Sequence, residues 1–220
     1  MLKANKSCIE RLYRYRNTLI KLKSIGFVKV FSDNLADGVG VPATQVRKDF
    51  SIFGLSGNKR GGYIVDELIE KLNHVLGKNK PVSIIVVGKG NIGSALVHYK
   101  GFEKEGIKIV AAFDVDPSKT GHTDDIPVLP TSELKGFVKQ HNISVGIIAV
   151  PDAAAQQVAD VMIESGIKGI LNFAPIRLNM PEDIIIHHVN LELELETIIY
   201  FVNALNRKVK QEPKQWIEKN

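Results

Sequence analysis

The stretch Val82-Ser83-Ile84-Ile85-Val86-Val87-Gly88-Lys89-Gly90-Asn91-Ile92-Gly93-Ser94-Ala95-Leu96 decides how this chain is read. An apolar strand runs into a glycine turn, and a helix opens from the turn. G-x-G-x-x-G in that context is how a βαβ unit receives a dinucleotide. Gly88 permits the turn. Gly90 lets a pyrophosphate approach the backbone, and Gly93 lets the helix pack close to the strand. Lys89, Asn91 and Ile92 complete the loop, and the open N–H groups at the helix start suit phosphate. A second strand, 107–114, ends in Asp114, 21 residues after Gly93. That is about the spacing at which a carboxylate meets an adenosine ribose. No Arg follows it, so NAD and NADH are favoured over their 2′-phosphorylated forms. A domain of this type that binds another nucleotide, such as coenzyme A, stays open as an alternative.

Strand and helix alternate after residue 81, which implies an α/β domain with a parallel sheet and right-handed crossovers, Rossmann-like in class. The strand 143–150 ends at Pro151, and the strand 169–171 leads into Asn172-Phe173-Ala174. Ligands bind beyond the carboxyl ends of such strands, so Val150, Pro151, Asn172, Phe173 and Ala174 are expected to flank the pocket. Leu191, Leu195, Ile198, Ile199, Val202 and Leu205 fall on one helical face, which predicts a C-terminal helix over about 191–209. An NAD-dependent dehydrogenase would need a proton-transfer group near the nicotinamide. His98, His187 and His188 are the candidates, with no evident cationic anchor for a substrate. His187 and His188 are adjacent, so on a strand they face opposite ways, and no Cys or His cluster marks a metal site.

The charge is uneven. The 220 residues carry +5 overall, yet residues 1–80 hold 15 Lys/Arg against 7 Asp/Glu. Such a basic N-terminal third points to nucleic acid. A single cysteine, Cys8, forms no internal disulfide and reads as a reduced residue of a cytoplasmic protein. No apolar run reaches membrane-spanning length, and the opening residues lack a signal-peptide core.

Within that third, Ile9, Leu12, Leu19, Leu22 and Ile25 recur at helical spacing, and Gly26 fits a helix stop. A short capped helix begins at Ser32, and a third follows Pro42 through Phe50. Val46 and Phe50 face the core, leaving Thr44, Gln45, Arg47 and Lys48 outward. This is a helix-turn-helix pattern whose second helix enters the major groove, Thr and Gln reading base edges and the cations reaching phosphate or guanine. Residues 51–65 then read as a β-hairpin wing with Lys59 and Arg60 at its tip, suited to phosphate or the minor groove.

A winged helix-turn-helix, then a Rossmann-like sheet, then a terminal helix resembles the Rex family of redox-sensing transcriptional repressors. The motifs that carry the resemblance are Gln45-Val46-Arg47-Lys48-Asp49, Ile52-Phe53-Gly54, Gly62-Tyr63, Gly88 through Gly93, Phe113-Asp114-Val115-Asp116-Pro117, Val150-Pro151 and Lys168 through Pro175. The resemblance implies a homodimer that binds operator DNA when NADH is scarce and releases it when NADH rises, and no enzymatic activity. It implies a C-terminal helix swapped onto the partner, with domains over 1–79, 80–189 and 190–220. It also implies Tyr99 near the nicotinamide, with Val150, Pro151 and Phe173 lining the pocket. Tyr15-Arg16-Asn17 stands where the family has Tyr-x-Arg, and Asn190 where it has Asp. Those family residues couple the DNA-binding domain to the dimer core, so Arg16, Asn17 and Asn190 are the expected coupling residues here.

Overall fold

Apolar spacing in the first third builds a helical unit. A computed structural model describes residues 5–57, 61–121 and 126–211. Helix α1 (Lys6–Ser24) is capped by Asn5, whose side chain accepts from the Cys8 N–H at 2.9 Å, and it ends beside Gly26. Strand β1 (Lys29–Val30) follows, then α2 (Ser32–Val39) and α3 (Ala43–Ile52). Asn34 reaches back to the Phe31 N–H at 2.8 Å and fixes the α2 entry. Pro42 precedes α3, where its missing N–H costs nothing. Strand β2 (Tyr63–Ile64) and α4 (Val65–Val75) complete the unit.

Its core gathers Leu12, Tyr15 and Leu19 of α1, Leu35 of α2, Val46 and Phe50 of α3, and Leu68 and Leu72 of α4. Phe50 takes edge contacts from Tyr15 and Tyr63, both at 5.4 Å between ring centres.

The expected hairpin over 51–65 is corrected. Helix α3 continues to Ile52, and β2 pairs antiparallel with β1, Val30 opposite Tyr63. Lys59 and Arg60 lie outside the described residues.

The chain divides after Pro81. The second unit runs β3 (Val82–Val87), α5 (Asn91–Val97), α6 (Gly101–Lys104), β4 (Ile107–Asp114), β5 (Val128–Pro130), α7 (Leu134–His141), β6 (Val145–Ile148), α8 (Asp152–Ser165), β7 (Gly169–Asn172), β8 (Ile185–His188) and α9 (Leu191–Gln211). The six strands are parallel, in the order β5-β4-β3-β6-β7-β8. Alternation along β3 sends Ile85 and Val87 to one face, with Leu134 and Met162 of α7 and α8, and Ile84 and Val86 to the other, with Leu96 of α5. Both faces are covered, which is why β3 reads as a continuous apolar run.

Helix α9 is different. Leu191, Leu195, Ile198, Ile199, Phe201 and Leu205 are all exposed. A helix with a continuous exposed apolar face is built to be covered. Among the described residues, no helix is long and apolar enough to cross a membrane.

Candidate functional site

The strand order reverses between β3 and β6. Chain leaving β3 turns one way and chain leaving β6 the other, so a crevice opens beyond their carboxyl ends. A cavity of about 300 Å³ lies there. Of the residues expected from sequence, Gly88, Gly90, Asp114, Val150 and Pro151 line it. Val115 and Asp116, which follow Asp114 in its motif, line it too, as do Lys119, Thr131, Ala154 and Val158, which no motif singled out.

The three glycines have separate reasons. Gly88 sits at φ +100°, and a Cβ there would strike the backbone carbonyl of Ala149 on the neighbouring strand loop. A Cβ on Gly93 would run into the Gly88 carbonyl, so helix and turn could not meet. Gly90 has open space where its Cβ would be. Nothing in the fold forbids a side chain there, so that space is the approach a ligand would use.

Asp114 ends β4 with its side chain almost fully buried. Its Oδ2 accepts the Lys89 N–H at 2.7 Å and its Oδ1 accepts the Asp116 N–H at 2.9 Å. Burial pushes its pKa up, but the Asp116 and Lys89 amides and the nearby Lys119 ammonium outweigh it and hold the carboxyl below its usual range. Asp114 is therefore a carboxylate fixed at the cavity wall. Two backbone donors leave it acceptor capacity for hydroxyls.

The remaining expected residues are placed otherwise. Asn91 and Ile92 open α5 and are exposed. Tyr99 is exposed and packs edge-on to Phe102 at 5.1 Å. Asn172 is fully buried, and its amide is spent internally. It donates to the Ala174 and Ile176 carbonyls and to His188 Nδ1 at 3.0 to 3.1 Å, and accepts from the Ala174 N–H at 3.0 Å. Asn172 shapes the 172–176 loop from behind, with Phe173 partly buried and Ala174 buried in it. His98 Nδ1 donates to the Ser94 carbonyl of its own turn, and neither it, His187 nor His188 lines the cavity. Among the described residues, no group of three or more His, Cys, Asp or Glu is placed to hold a metal.

In the first unit, α3 presents Thr44, Arg47 and Lys48 outward, as a groove-entering helix requires. Gln45 departs from the expected outward set. It is half-buried and donates to Asp49 Oδ1 at 2.8 Å.

Sequence reading missed what Asp49 does. This carboxylate, 1% exposed, accepts Arg11 Nε at 2.6 Å and Nη2 at 2.7 Å, the Tyr15 hydroxyl at 3.0 Å and the Cys8 thiol at 3.4 Å. Burial raises the Asp49 pKa, and the bonds from Arg11, Gln45, Tyr15 and Cys8 overcome it, leaving the carboxyl below its usual range. The same cluster pushes the Tyr15 hydroxyl up, first by burial, then through Asp49. The Cys8 thiol is likewise raised by burial and by Asp49, the opposite of a reactive thiolate. Arg16 Nε donates to Asn73 of α4 at 2.6 Å, and its Nη1 donates to Asn17 at 3.2 Å. Asn190 caps α9, accepting from the Leu193 N–H at 3.0 Å.

Two family models match along the chain: a DNA-binding protein N-terminus over residues 5–51 and a CoA binding domain over 79–176. The redox-sensing transcriptional repressor Rex of Desulforamulus reducens is 45% identical over 208 residues, covering 94% of this chain and 99% of that protein. Its counterpart in Pelotomaculum thermopropionicum is 41% identical, covering 90% and 94%. Among solved structures, RSP in complex with β-NAD⁺ and operator DNA matches with a TM-score of 0.88 at 35% identity, over 95% of this chain and 98% of that one. RSP with β-NADH matches at 0.80 and 33%, over 95% and 99%. Helix-turn-helix, reversed-order parallel sheet and terminal helix thus occur together over nearly the full length of these relatives, and the chain belongs to the Rex family of redox-sensing transcriptional repressors.

Proposed function

We propose that this chain is an NADH-sensing transcriptional repressor that binds operator DNA and lets go when NADH fills the cavity beyond β3 and β6. One observation carries the reading. A glycine turn opens onto a cavity walled by an oriented carboxylate, Asp114, in the same polypeptide as an exposed Thr44-Arg47-Lys48 face. Asp114 suits the hydroxyls of an adenosine ribose, and the space at Gly90 suits a pyrophosphate. Reduced nicotinamide is neutral and enters an apolar cleft more readily than the charged oxidised ring. That supports sensing of NADH against NAD⁺ rather than of total cofactor.

The relatives' names support repression, and the RSP complexes support operator DNA and both nucleotide forms as partners. The apolar surface of α9 supports a homodimer in which a second copy covers that helix, and the likeness to transcriptional repressors supports the cytoplasm as its place of work. Arg16, Asn17 and Asn190 are the residues we assign to coupling between the DNA-binding head and the dimer core. Lys59 and Arg60 are assigned to DNA, at the phosphate backbone or the minor groove.

The test is an operator-binding titration with each nucleotide. NADH displaces the DNA at lower concentration than NAD⁺, and a coupling of about 1–3 kcal/mol corresponds to a 5–150-fold change in operator affinity. Equal responses remove the redox claim. The CoA binding domain match gives a second reading, coenzyme A as ligand. Asp114 opposes it, because coenzyme A carries phosphate on that ribose and would meet a carboxylate. Displacement of operator by coenzyme A and not by NADH would reverse the assignment.

A further inference from the structure

Lys119 stands at the ribose end of the cavity, where the sequence shows no Arg. It closes a single 3-10 turn, Pro117–Lys119. Asp116 caps that turn, accepting from the Ser118 N–H at 2.9 Å and the Ser118 hydroxyl at 2.7 Å. Thr120 closes the other end with a 2.7 Å bond to the Pro117 carbonyl. The pinned backbone sends the Lys119 ammonium back toward the cavity, 3.5 Å from Asp114 Oδ2 and 3.9 Å from Asp116 Oδ2.

A ribose diol gives two donors and suits the carboxylate. Its neutral oxygens can also accept from an ammonium, but they gain far less from a cation than a phosphate dianion does. A 2′-phosphate wants the reverse: a cation beside it and no carboxylate. This cavity holds both groups within bonding reach of each other. We infer that Lys119 is a second determinant of dinucleotide choice, a cation able to take a 2′-phosphate and held in check by Asp114. The preference for NADH over NADPH then rests on the Asp114–Lys119 pair. This inference builds on the NADH reading and says which residues set its selectivity.

The test uses the full chain and measures affinity for NADH and NADPH through nicotinamide fluorescence. Asp114→Asn is chosen over Ala because it removes the charge while keeping the side chain's shape and one oxygen, which still accepts from one of the Lys89 and Asp116 amides. It shifts the NADPH:NADH affinity ratio toward NADPH by about tenfold or more, the size of one well-placed charge contact. Adding Lys119→Ala to it returns most of that shift. Lys119→Ala alone, at a partly exposed side chain, moves the ratio toward NADH. NADPH binding by the Asp114→Asn protein also weakens more steeply with salt than NADH binding, as a phosphate–ammonium contact must. A ratio that is the same with and without Lys119, in both backgrounds, overturns the inference while leaving the NADH reading intact. A wild-type protein that binds neither dinucleotide overturns both.

Discussion

Asp49 and Asp114 are both buried carboxylates held below their usual pKa range, and they do opposite work. Asp49 accepts from four side chains on two helices, and nothing is left for a ligand. Asp114 is held chiefly by two backbone amides, from the β3 turn and from its own loop, with the partly exposed Lys119 ammonium at 3.5 Å, and it lines a cavity. What distinguishes them is the source of the donors. Side-chain donors from afar turn a carboxylate into a tie between elements. Local amides orient it and leave it open.

The comparison breaks most visibly at Asp49. Asp49→Ala leaves the Arg11 guanidinium without its partner, and removing one member of a buried pair costs about 3–5 kcal/mol. Chemical denaturation, read on the first unit, shows a loss of that order. A loss under about 1 kcal/mol would mean that water replaces the carboxylate and that Asp49 is no tie. Acid acts on the same bond. A carboxyl whose folded pKa is depressed contributes stability that is fully present above the ordinary value of 3.8 and drains as pH falls below it. Asp49→Asn flattens that acid limb.

Asp114→Ala comes next. It removes ribose acceptors rather than a tie, so the larger effect is on the ligand: NADH affinity falls about 10- to 100-fold, one to two well-placed hydrogen bonds to a charged acceptor. Titration of operator release by NADH reads it. Equal losses in stability and affinity would make Asp114 a second Asp49.

Asp114 was legible in the sequence and Asp49 was not. Strand β3, its glycines and the acid closing the next strand are local signals, set within about 30 residues of chain by turn geometry and packing. Arg11 and Tyr15 lie 38 and 34 residues from Asp49, and no spacing rule links them. The same limit explains the wing. Residues 51–57 have hairpin composition, but β2 finds its partner in Lys29–Val30, more than 30 residues back, while α3 keeps its helix through Ile52. Lys119 escaped because the reading looked for Arg directly after the strand, whereas a capped turn brings a lysine back from five residues on. Asn172 was expected at the pocket from its position, and it ends β7 at the carboxyl end of the sheet without lining the cavity. Its side chain turned inward because a buried amide must satisfy itself.

Gly90→Ala sharpens the contrast between holding and receiving. The added methyl meets nothing in the free fold, and the backbone there is extended, so thermal stability stays within about 0.5 kcal/mol. NADH affinity nonetheless falls about tenfold, because the methyl occupies the approach of the pyrophosphate. Unchanged affinity would move the phosphates away from this turn.

The smallest expected effect is at Gln45, which touches both sides of the comparison. Its Nε2 donates to Asp49, one of several donors there, so Gln45→Ala leaves Arg11 and Tyr15 in place and the carboxylate still neutralised. The cost to stability is about 1 kcal/mol, the net value of one such bond. The amide keeps its carbonyl and a second N–H for a base edge, so the same substitution relaxes operator choice at one base pair per half-site. Binding to operator variants changed one position at a time separates the two roles. A stability loss with uniform weakening across all operators makes Gln45 purely a support of Asp49. Relaxed choice at one position with no stability loss would return it to the outward set with Thr44, Arg47 and Lys48.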